Sequence, residues 1–317
     1  MRRPGNWSPA SKTDYVTPSN LEEVSPALAD MPAAALVIAG LLLLGALASA
    51  PRVFRLQARI AGPWGGPRPG TAPWSLRQLA ALLGLLAGAA LLVSGGLRLF
   101  GFGGAAQGDE PSLLLTLLAT NLVLGLPAIG LVLFVRRPAG GGLARLGLGS
   151  SGGLRAALGG ACAWLLLLPG ILGLGILWPA LLAAAGQTPQ AQPFIDDFLT
   201  GSGMSLALAV FLAAIVTPLL EELLFRGFLQ PLLAERLGSG AAIVITSLLF
   251  SALHGLSASG PIFGLSLVLG MTMARTGRLA GPWAIHALHN GGTLLLLLTV
   301  PEFAELLPEG GLIPFRF

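Results

Sequence analysis

The sequence predicts an all-α protein, a polytopic bundle of about eight transmembrane helices, and three observations support this fold class. Of the 317 residues, 54% are hydrophobic and only 10% are charged, against roughly 25% charged in an ordinary soluble domain. Several apolar runs reach the roughly 20 residues that cross a hydrocarbon core. These runs are continuous rather than alternating, and an open sheet cannot satisfy its backbone in lipid, so helices are the expected spanning structure.

The apolar runs place the predicted spans in order along the chain. Their approximate ranges are 32–50, 76–97, 112–135, 156–185, 204–233, 240–257, 261–275 and 279–300. The first run ends in Ala48-Ser49-Ala50, which resembles a signal-peptidase site. Its length, and the arginines that follow at Arg52 and Arg55, favour a helix that is retained in the membrane.

Charged residues between the runs predict the orientation of the bundle. In chain order they are Arg52, Arg55, Arg59 and Arg68, then Asp109 and Glu110, then Arg136, Arg137 and Arg145, then Asp196 and Asp197, then Arg236, and finally Arg275 and Arg278. Under the positive-inside rule the alternation puts both termini outside the cytoplasm, provided that the count of spans is even. The host membrane is expected to be the plasma membrane.

The net charge of +4 comes almost entirely from these arginines. It therefore reflects the orientation of the helices in the membrane and does not indicate a nucleic-acid-binding surface. The single cysteine, Cys162, lies in an apolar run. It excludes an intramolecular disulfide and any multi-cysteine metal site.

The chain divides into four parts by composition. Residues 1–30 are a polar, proline-containing tail without a core of its own, and residues 31–150 hold accessory N-terminal transmembrane helices. Residues 151–305 form the expected functional core, and residues 306–317 a C-terminal tail. Glycine-rich stretches separate the first three spans from the rest, which predicts one domain with an accessory part rather than two domains.

Ionisable residues inside the late spans mark the candidate site. Burying such a residue in a membrane costs several kcal/mol, and it usually faces the bundle interior or a water-filled cavity. The three groups are Glu221-Glu222 with Arg226, Phe250 with His254, and His286 with His289 and Asn290.

Helical spacing predicts a different role for each of these side chains. Glu222 and Arg226 are four residues apart and share a face, so they are expected to form a supporting ion pair that fixes helix packing. Glu221 is turned about 100° away and stays free to act as a base. His286 and Asn290 also share a face and point into one cavity.

A carboxylate and imidazoles around a water form a general-base site for attack on a carbonyl, with a metal or without one. An amide such as that of Asn290 can donate to the developing oxyanion. No serine or cysteine is paired with the histidines in a recognisable motif, which argues against a covalent mechanism.

At these residues the sequence resembles the CPBP family of intramembrane peptidases, also described as the CAAX-protease, bacteriocin-processing or Abi family. That family includes the type II prenyl-protein endopeptidases, and its pattern is EExxxR, FxxxH and HxxxN or HxxxD on separate helices. Here the pattern reads Glu221-Glu222 to Arg226, Phe250 to His254, and His286 to Asn290. The resemblance covers roughly residues 200–300, inside the core assigned to 151–305.

The resemblance implies a role for each matched residue. Glu221 and His254 would activate the attacking water, and His286 and Asn290 would stabilise the oxyanion or assist binding. Glu222, Arg226 and Phe250 would support the site, and His289, outside the pattern, would be a packing or second-layer residue. Glu221, His254 and His286 could also ligate a divalent metal, most readily zinc, although the compact HExxH spacing is absent.

The expected function is therefore that of an intramembrane endopeptidase that cleaves a membrane-anchored or lipid-modified peptide or protein, and the resemblance extends this to prenylated CAAX-type substrates. Two other functions remain open: a proton-coupled transporter that uses Glu221 and the histidines as a relay, and a non-catalytic membrane scaffold or immunity factor. One geometric difficulty accompanies the peptidase hypothesis. If every span is straight, His254 falls nearer the outer face and His286 nearer the inner one.

Overall fold

The computed structural model describes residues 33–62, 74–99, 113–136, 142–148, 152–187 and 203–300. Within these ranges the chain forms eight long helices, a short 3₁₀ helix at Leu143–Leu146 and no strand, which confirms the all-α prediction. The helices are α1 (Ala33–Ala61), α2 (Leu76–Leu99), α3 (Leu113–Arg136), α4 (Gly153–Ala184), α5 (Gly203–Leu237), α6 (Ser239–Ala252), α7 (Leu256–Thr276) and α8 (Ala280–Thr299). Both predicted tails, Arg68, Arg137 and the acidic loop residues Asp109, Glu110, Asp196 and Asp197 lie outside the described residues.

The protein is an integral, multi-pass membrane protein. In the described part of the chain six helices, α1 to α5 and α7, are long and apolar enough to cross a membrane, and α6 is a shorter apolar helix. Many large apolar side chains on the outer helices remain exposed on the isolated protein. Such a surface suits contact with lipid tails, which are as apolar as leucine.

The first helix is longer than the sequence predicts. It continues past residue 50 and through Pro51 to Ala61, because its last turns are held by contacts with the core. Phe54 and Gln57 are buried there, and Gln57 Nε2 donates to Thr272 Oγ1 at 2.8 Å. The arginines that follow the apolar run therefore lie on α1 itself and not in a loop.

Glycines on α4 allow two other helices to approach closely. A Cβ atom at Gly173 would lie 2.6 Å from the Ala39 carbonyl oxygen of α1, and one at Gly160 would collide with the Gly281 carbonyl oxygen of α8. Small residues at helix contacts are the usual means by which membrane helices pack. The accessory helix α1 is thus packed along the core helix α4, and α4 fixes the start of α8.

Helix α5 is continuous but contains two widened turns. Leu212–Val216 and Leu223–Leu229 are π-helical and flank the α-helical segment Thr217–Glu222. Pro218 and Pro231 each stand two residues beyond a π-helical segment. Since proline has no N–H, a carbonyl in the preceding turn loses its backbone partner, and π-helical turns often occur at functional sites. The prolines subdivide α5 without breaking it, and the paired glutamates lie between the widened turns.

Candidate active site

The two carboxylates of α5 are buried beside a fully buried guanidinium. Glu221 is 4% exposed, and Glu222 and Arg226 are 0% exposed. Arg226 Nη1 lies 3.1 Å from Glu222 Oε1, and Nη2 donates to Ser266 Oγ on α7 at 2.6 Å. The guanidinium also stands 4.6 Å from the ring centre of Phe250. Arg226 therefore ties the glutamate turn to α6 and α7, and the ion pair expected from the sequence is present.

His286 on α8 lies between the two carboxylates. Its Nδ1 is 3.0 Å from Glu222 Oε1, and its Nε2 is 3.6 Å from Glu221 Oε2. The imidazole is fully buried, so both ring nitrogens face protein groups. Glu222 thus bridges Arg226 and His286, and the contact with His286 is an addition to the ion pair expected from the sequence.

Two facing atoms of this cluster remain without a hydrogen-bond partner among the described residues. They are Glu221 Oε2 and His286 Nε2, and both are buried. Buried polar atoms ordinarily have a partner in the protein or in ordered water. A carboxylate oxygen and an imidazole nitrogen at this spacing can share one small polar molecule, since each would lie within hydrogen-bond reach of it.

His254 approaches the same cluster from the turn after α6. The ring centre of His254 is 4.6 Å from that of Phe250. The ring centre of Phe250 is in turn 5.7 Å from that of His286. The Phe250 carbonyl lies 2.6 Å from His254 Nδ1, and because a carbonyl only accepts, Nδ1 carries the proton. The lone pair of neutral His254 is then on Nε2.

The structure brings His254 and His286 to the same cluster, since the Phe250 ring lies against both. The difficulty raised by straight, full-length spans does not arise for α6. This helix has only 14 residues, about 21 Å at 1.5 Å per residue, which is shorter than the roughly 30 Å of a hydrocarbon core.

Asn290 is one turn beyond His286 and is directed at a different part of α5. Its Nδ2 donates to the Ala213 carbonyl oxygen at 3.1 Å, while its Oδ1 is buried and without a partner among the described residues. In the π-helical pattern this carbonyl would take the N–H of residue 218, which is Pro218. Asn290 therefore supplies a donor that the backbone lacks. His289 is 5% exposed and lies on the same helix.

Three further residues hydrogen-bond to or within the helices of the site but lie outside the three sequence motifs. Ser266 accepts from Arg226, Trp283 Nε1 donates to the Ile215 carbonyl oxygen at 3.1 Å, and Asn121 of α3 donates to Thr217 Oγ1 at 2.9 Å. Asn121 could have been singled out, because an amide in the middle of an apolar run needs a polar partner. Ser266 and Trp283 are common residues in membrane helices and could not.

The residues proposed as metal ligands do not form a complete set. No group of three or more His, Cys, Asp and Glu side chains suited to a metal occurs in the parts of the chain that the structure describes. Glu221 and His286 offer unpartnered atoms 3.6 Å apart, whereas a catalytic zinc ordinarily has three protein ligands. Two of the three expected donors converge, and His254 does not complete the set.

Comparisons with known proteins agree with the position of this cluster. The family model described as type II CAAX prenyl endopeptidase Rce1-like matches residues 203–292. That range contains α5, α6, α7 and most of α8, and with them every residue of the candidate site. No curated protein and no solved structure matches the chain.

Proposed function

We propose that this chain, whose residues 203–292 match the family model of Rce1-like type II CAAX prenyl endopeptidases, hydrolyses a peptide bond of a membrane-associated protein with a water held by Glu221. The family match supports a membrane-embedded protease of the CAAX type in general. One observation carries the finer proposal: Glu221 Oε2 and His286 Nε2, both buried and both without another partner among the described residues, face each other at 3.6 Å.

Glu221 is the proposed general base. Its neighbour Glu222 is held through Oε1 by Arg226 and His286. Glu222 Oε2 is also buried without a partner among the described residues, but it is Glu221 Oε2 that faces the unpartnered His286 Nε2, at 3.6 Å. His254 holds its proton on Nδ1 and can accept a second hydrogen bond from the same water through Nε2. A water positioned by two acceptors presents its oxygen lone pair to a carbonyl carbon, and the carboxylate takes the proton as the C–O bond forms. When the tetrahedral intermediate collapses, the C–N bond breaks, and Glu221 gives that proton to the leaving nitrogen.

His286 is the proposed hydrogen-bond donor that stabilises the oxyanion. Its Nδ1 lies 3.0 Å from Glu222 Oε1, and its Nε2 has no hydrogen-bond partner among the described residues. In the protonated imidazole, Nε2–H can donate to the developing negative charge of the tetrahedral intermediate. The second N–H of Asn290 is the other candidate donor, since the first is used by Ala213.

The substrate class is proposed from the family match, whose description names CAAX prenyl endopeptidases. The favoured case is a substrate anchored in lipid by a prenylated CAAX-type tail. An apolar recess of about 200 Å³ is lined by residues that include Leu219, Leu279 and Trp283, but none of the site residues lines it, so it is not assigned to the substrate.

A divalent metal remains a separate proposal for the same residues. Zinc, when bound, would polarise the carbonyl and acidify a bound water. Glu221 and His286 are the two residues that would hold it, because their unpartnered atoms converge. The reaction proposed above requires only that these side chains orient a water and accept its proton.

The proposal is tested with purified protein in detergent and a library of membrane-anchored peptides. We expect wild type to cleave a subset, Glu221→Gln to lose at least roughly 10³-fold in kcat, and Glu235→Gln to cleave normally. Glu235 is the matched control, since it lies on the same helix but its side chain is 35% exposed and pairs only with Arg236 at 4.0 Å. Cleavage that survives Glu221→Gln contradicts the mechanism, and proton-coupled flux in liposomes without cleavage would favour a transporter.

A further inference from the structure

The turn of α5 that precedes the glutamates is poorly supported by its own backbone. Thr217 donates its N–H to the Leu212 carbonyl across the π-helical turn, and Pro218 has no N–H to give to the turn before it. Glu221 follows Thr217 by four residues and therefore lies one turn further along the same helix. Any rotation of α5 at Thr217 is passed directly to the carboxylate.

A side chain from the accessory helices holds this turn. Asn121, in the middle of α3, donates through Nδ2 to the Leu117 carbonyl oxygen at 2.8 Å and to Thr217 Oγ1 at 2.9 Å. Thr217 is fully buried, and the two residues are 96 positions apart in the chain. The first bond orients the amide on its own helix, and the second connects that helix to the glutamate turn.

Packing around the bond makes it specific to one orientation of α5. Helix α3 contacts the segment Thr217–Glu222, and a Cβ at Gly125, one turn beyond Asn121, would lie 4.0 Å from Leu220 Cδ1. One turn earlier, α5 is held by Asn290 through the Ala213 carbonyl. Two amides, one from α3 and one from α8, thus grip α5 immediately before Glu221.

We propose that Asn121 is a positioning residue of the active site, and that α3 is consequently part of the catalytic unit although it lies outside the matched residues 203–292. The proposal rests on the proposed function, because what Asn121 positions is the Glu221 carboxylate. It assigns the accessory region a role in the reaction: through Thr217, Asn121 sets the rotation of α5 at which Glu221 faces His286.

The variants are chosen to remove the bond without changing size. Asn121→Leu and Thr217→Val delete the donor and the acceptor, and Thr217→Ser keeps the hydroxyl. Thr120→Val is the matched control, since Thr120 is buried on the same helix but is turned about 100° from Asn121. Two readouts are measured for each variant: kcat and KM on a cleaved peptide, and the rate at which dicyclohexylcarbodiimide modifies Glu221, followed by mass spectrometry.

We expect Asn121→Leu and Thr217→Val each to lower kcat roughly tenfold with little change in KM, because small displacements at a reacting centre cost rate rather than binding. The double variant should lose no more than either single one, as partners in one bond do. The modification rate of Glu221 should change in both variants and stay at the wild-type value in Thr217→Ser and Thr120→Val.

The two readouts separate this proposal from the proposed function. If the protein cleaves no peptide, the peptidase proposal fails, and a modification rate of Glu221 that depends on Asn121 still supports the positioning role. A wild-type modification rate in Asn121→Leu overturns that role whether or not cleavage occurs. The role is also overturned if Thr217→Ser changes the modification rate of Glu221 as much as Thr217→Val does, because the hydroxyl is then not the relevant group.

Discussion

Replacing Arg226 with methionine is expected to destabilise the protein strongly. The guanidinium is fully buried, pairs with Glu222 at 3.1 Å and donates to Ser266 Oγ at 2.6 Å. Methionine fills a similar volume but leaves Glu222 without its guanidinium partner. The dominant cost is therefore a buried carboxylate without compensation, and not a cavity.

The size of the effect follows from that cost. Breaking a buried ion pair by removing one partner costs about 3–5 kcal/mol. At roughly 2–4 °C per kcal/mol for a chain of a few hundred residues, the unfolding midpoint should fall by about 6–20 °C. Removing both charges with Glu222→Gln and Arg226→Met should cost less than half as much, because no uncompensated charge remains.

The assay is thermal unfolding in detergent, followed by intrinsic tryptophan fluorescence or by a thiol-reactive dye on Cys162. Arg155→Met is the control, since Arg155 is exposed at the start of α4 and should shift the midpoint by no more than about 2 °C. A midpoint for Arg226→Met within 2–3 °C of wild type would refute the argument on the scale used here. A double variant as unstable as Arg226→Met would refute it equally.

Three further predictions follow from packing and ligand geometry. Gly160→Leu should abolish activity and lower the unfolding midpoint, because the leucine side chain would meet the Gly281 backbone. The control Gly240→Ala should change neither activity nor midpoint, since nothing lies within 4 Å of a Cβ at that position. Normal activity in Gly160→Leu would contradict the packing of α4 against α8. Phe250→Leu should lower kcat roughly tenfold with a smaller effect on KM, because the ring that packs against both His254 and His286 is lost; unchanged kcat in steady-state cleavage assays would remove Phe250 from the site. Exhaustive dialysis against a chelator should leave cleavage intact, since two rather than three ligands converge, and loss of activity that zinc restores would instead establish a metal enzyme.

The number and order of helices could be predicted from the sequence because lipid imposes a simple rule on composition. Long apolar runs must be helices in a membrane, and all eight expected helices occur in the described residues. The end of α1 could not be predicted, since it is set by the contact of Gln57 with Thr272 across 215 positions. The π-helical turns of α5 could not be predicted from the sequence either. Pro218 and Pro231 indicate only that this helix is irregular.

The candidate site could be found from the sequence because burying an ionisable group in lipid is expensive, so each such group stands out. Its geometry could not. The bridging position of Glu222 between Arg226 and His286 depends on how α8 is placed against α5. The depth of His254 depends on where α6 ends, and apolar composition does not mark that end. The partner of Asn290 depends on a carbonyl that Pro218 leaves free.

The central claim is that Glu221 and His254 act on one water, and a double-mutant cycle on kcat/KM tests it most directly. Glu221→Gln, His254→Asn and the two combined are compared with wild type on the same membrane-anchored peptide. Groups that act as a unit give losses that do not multiply, so the double variant should be about as slow as the slower single variant. Losses that multiply would show two independent contributions and would contradict a shared water.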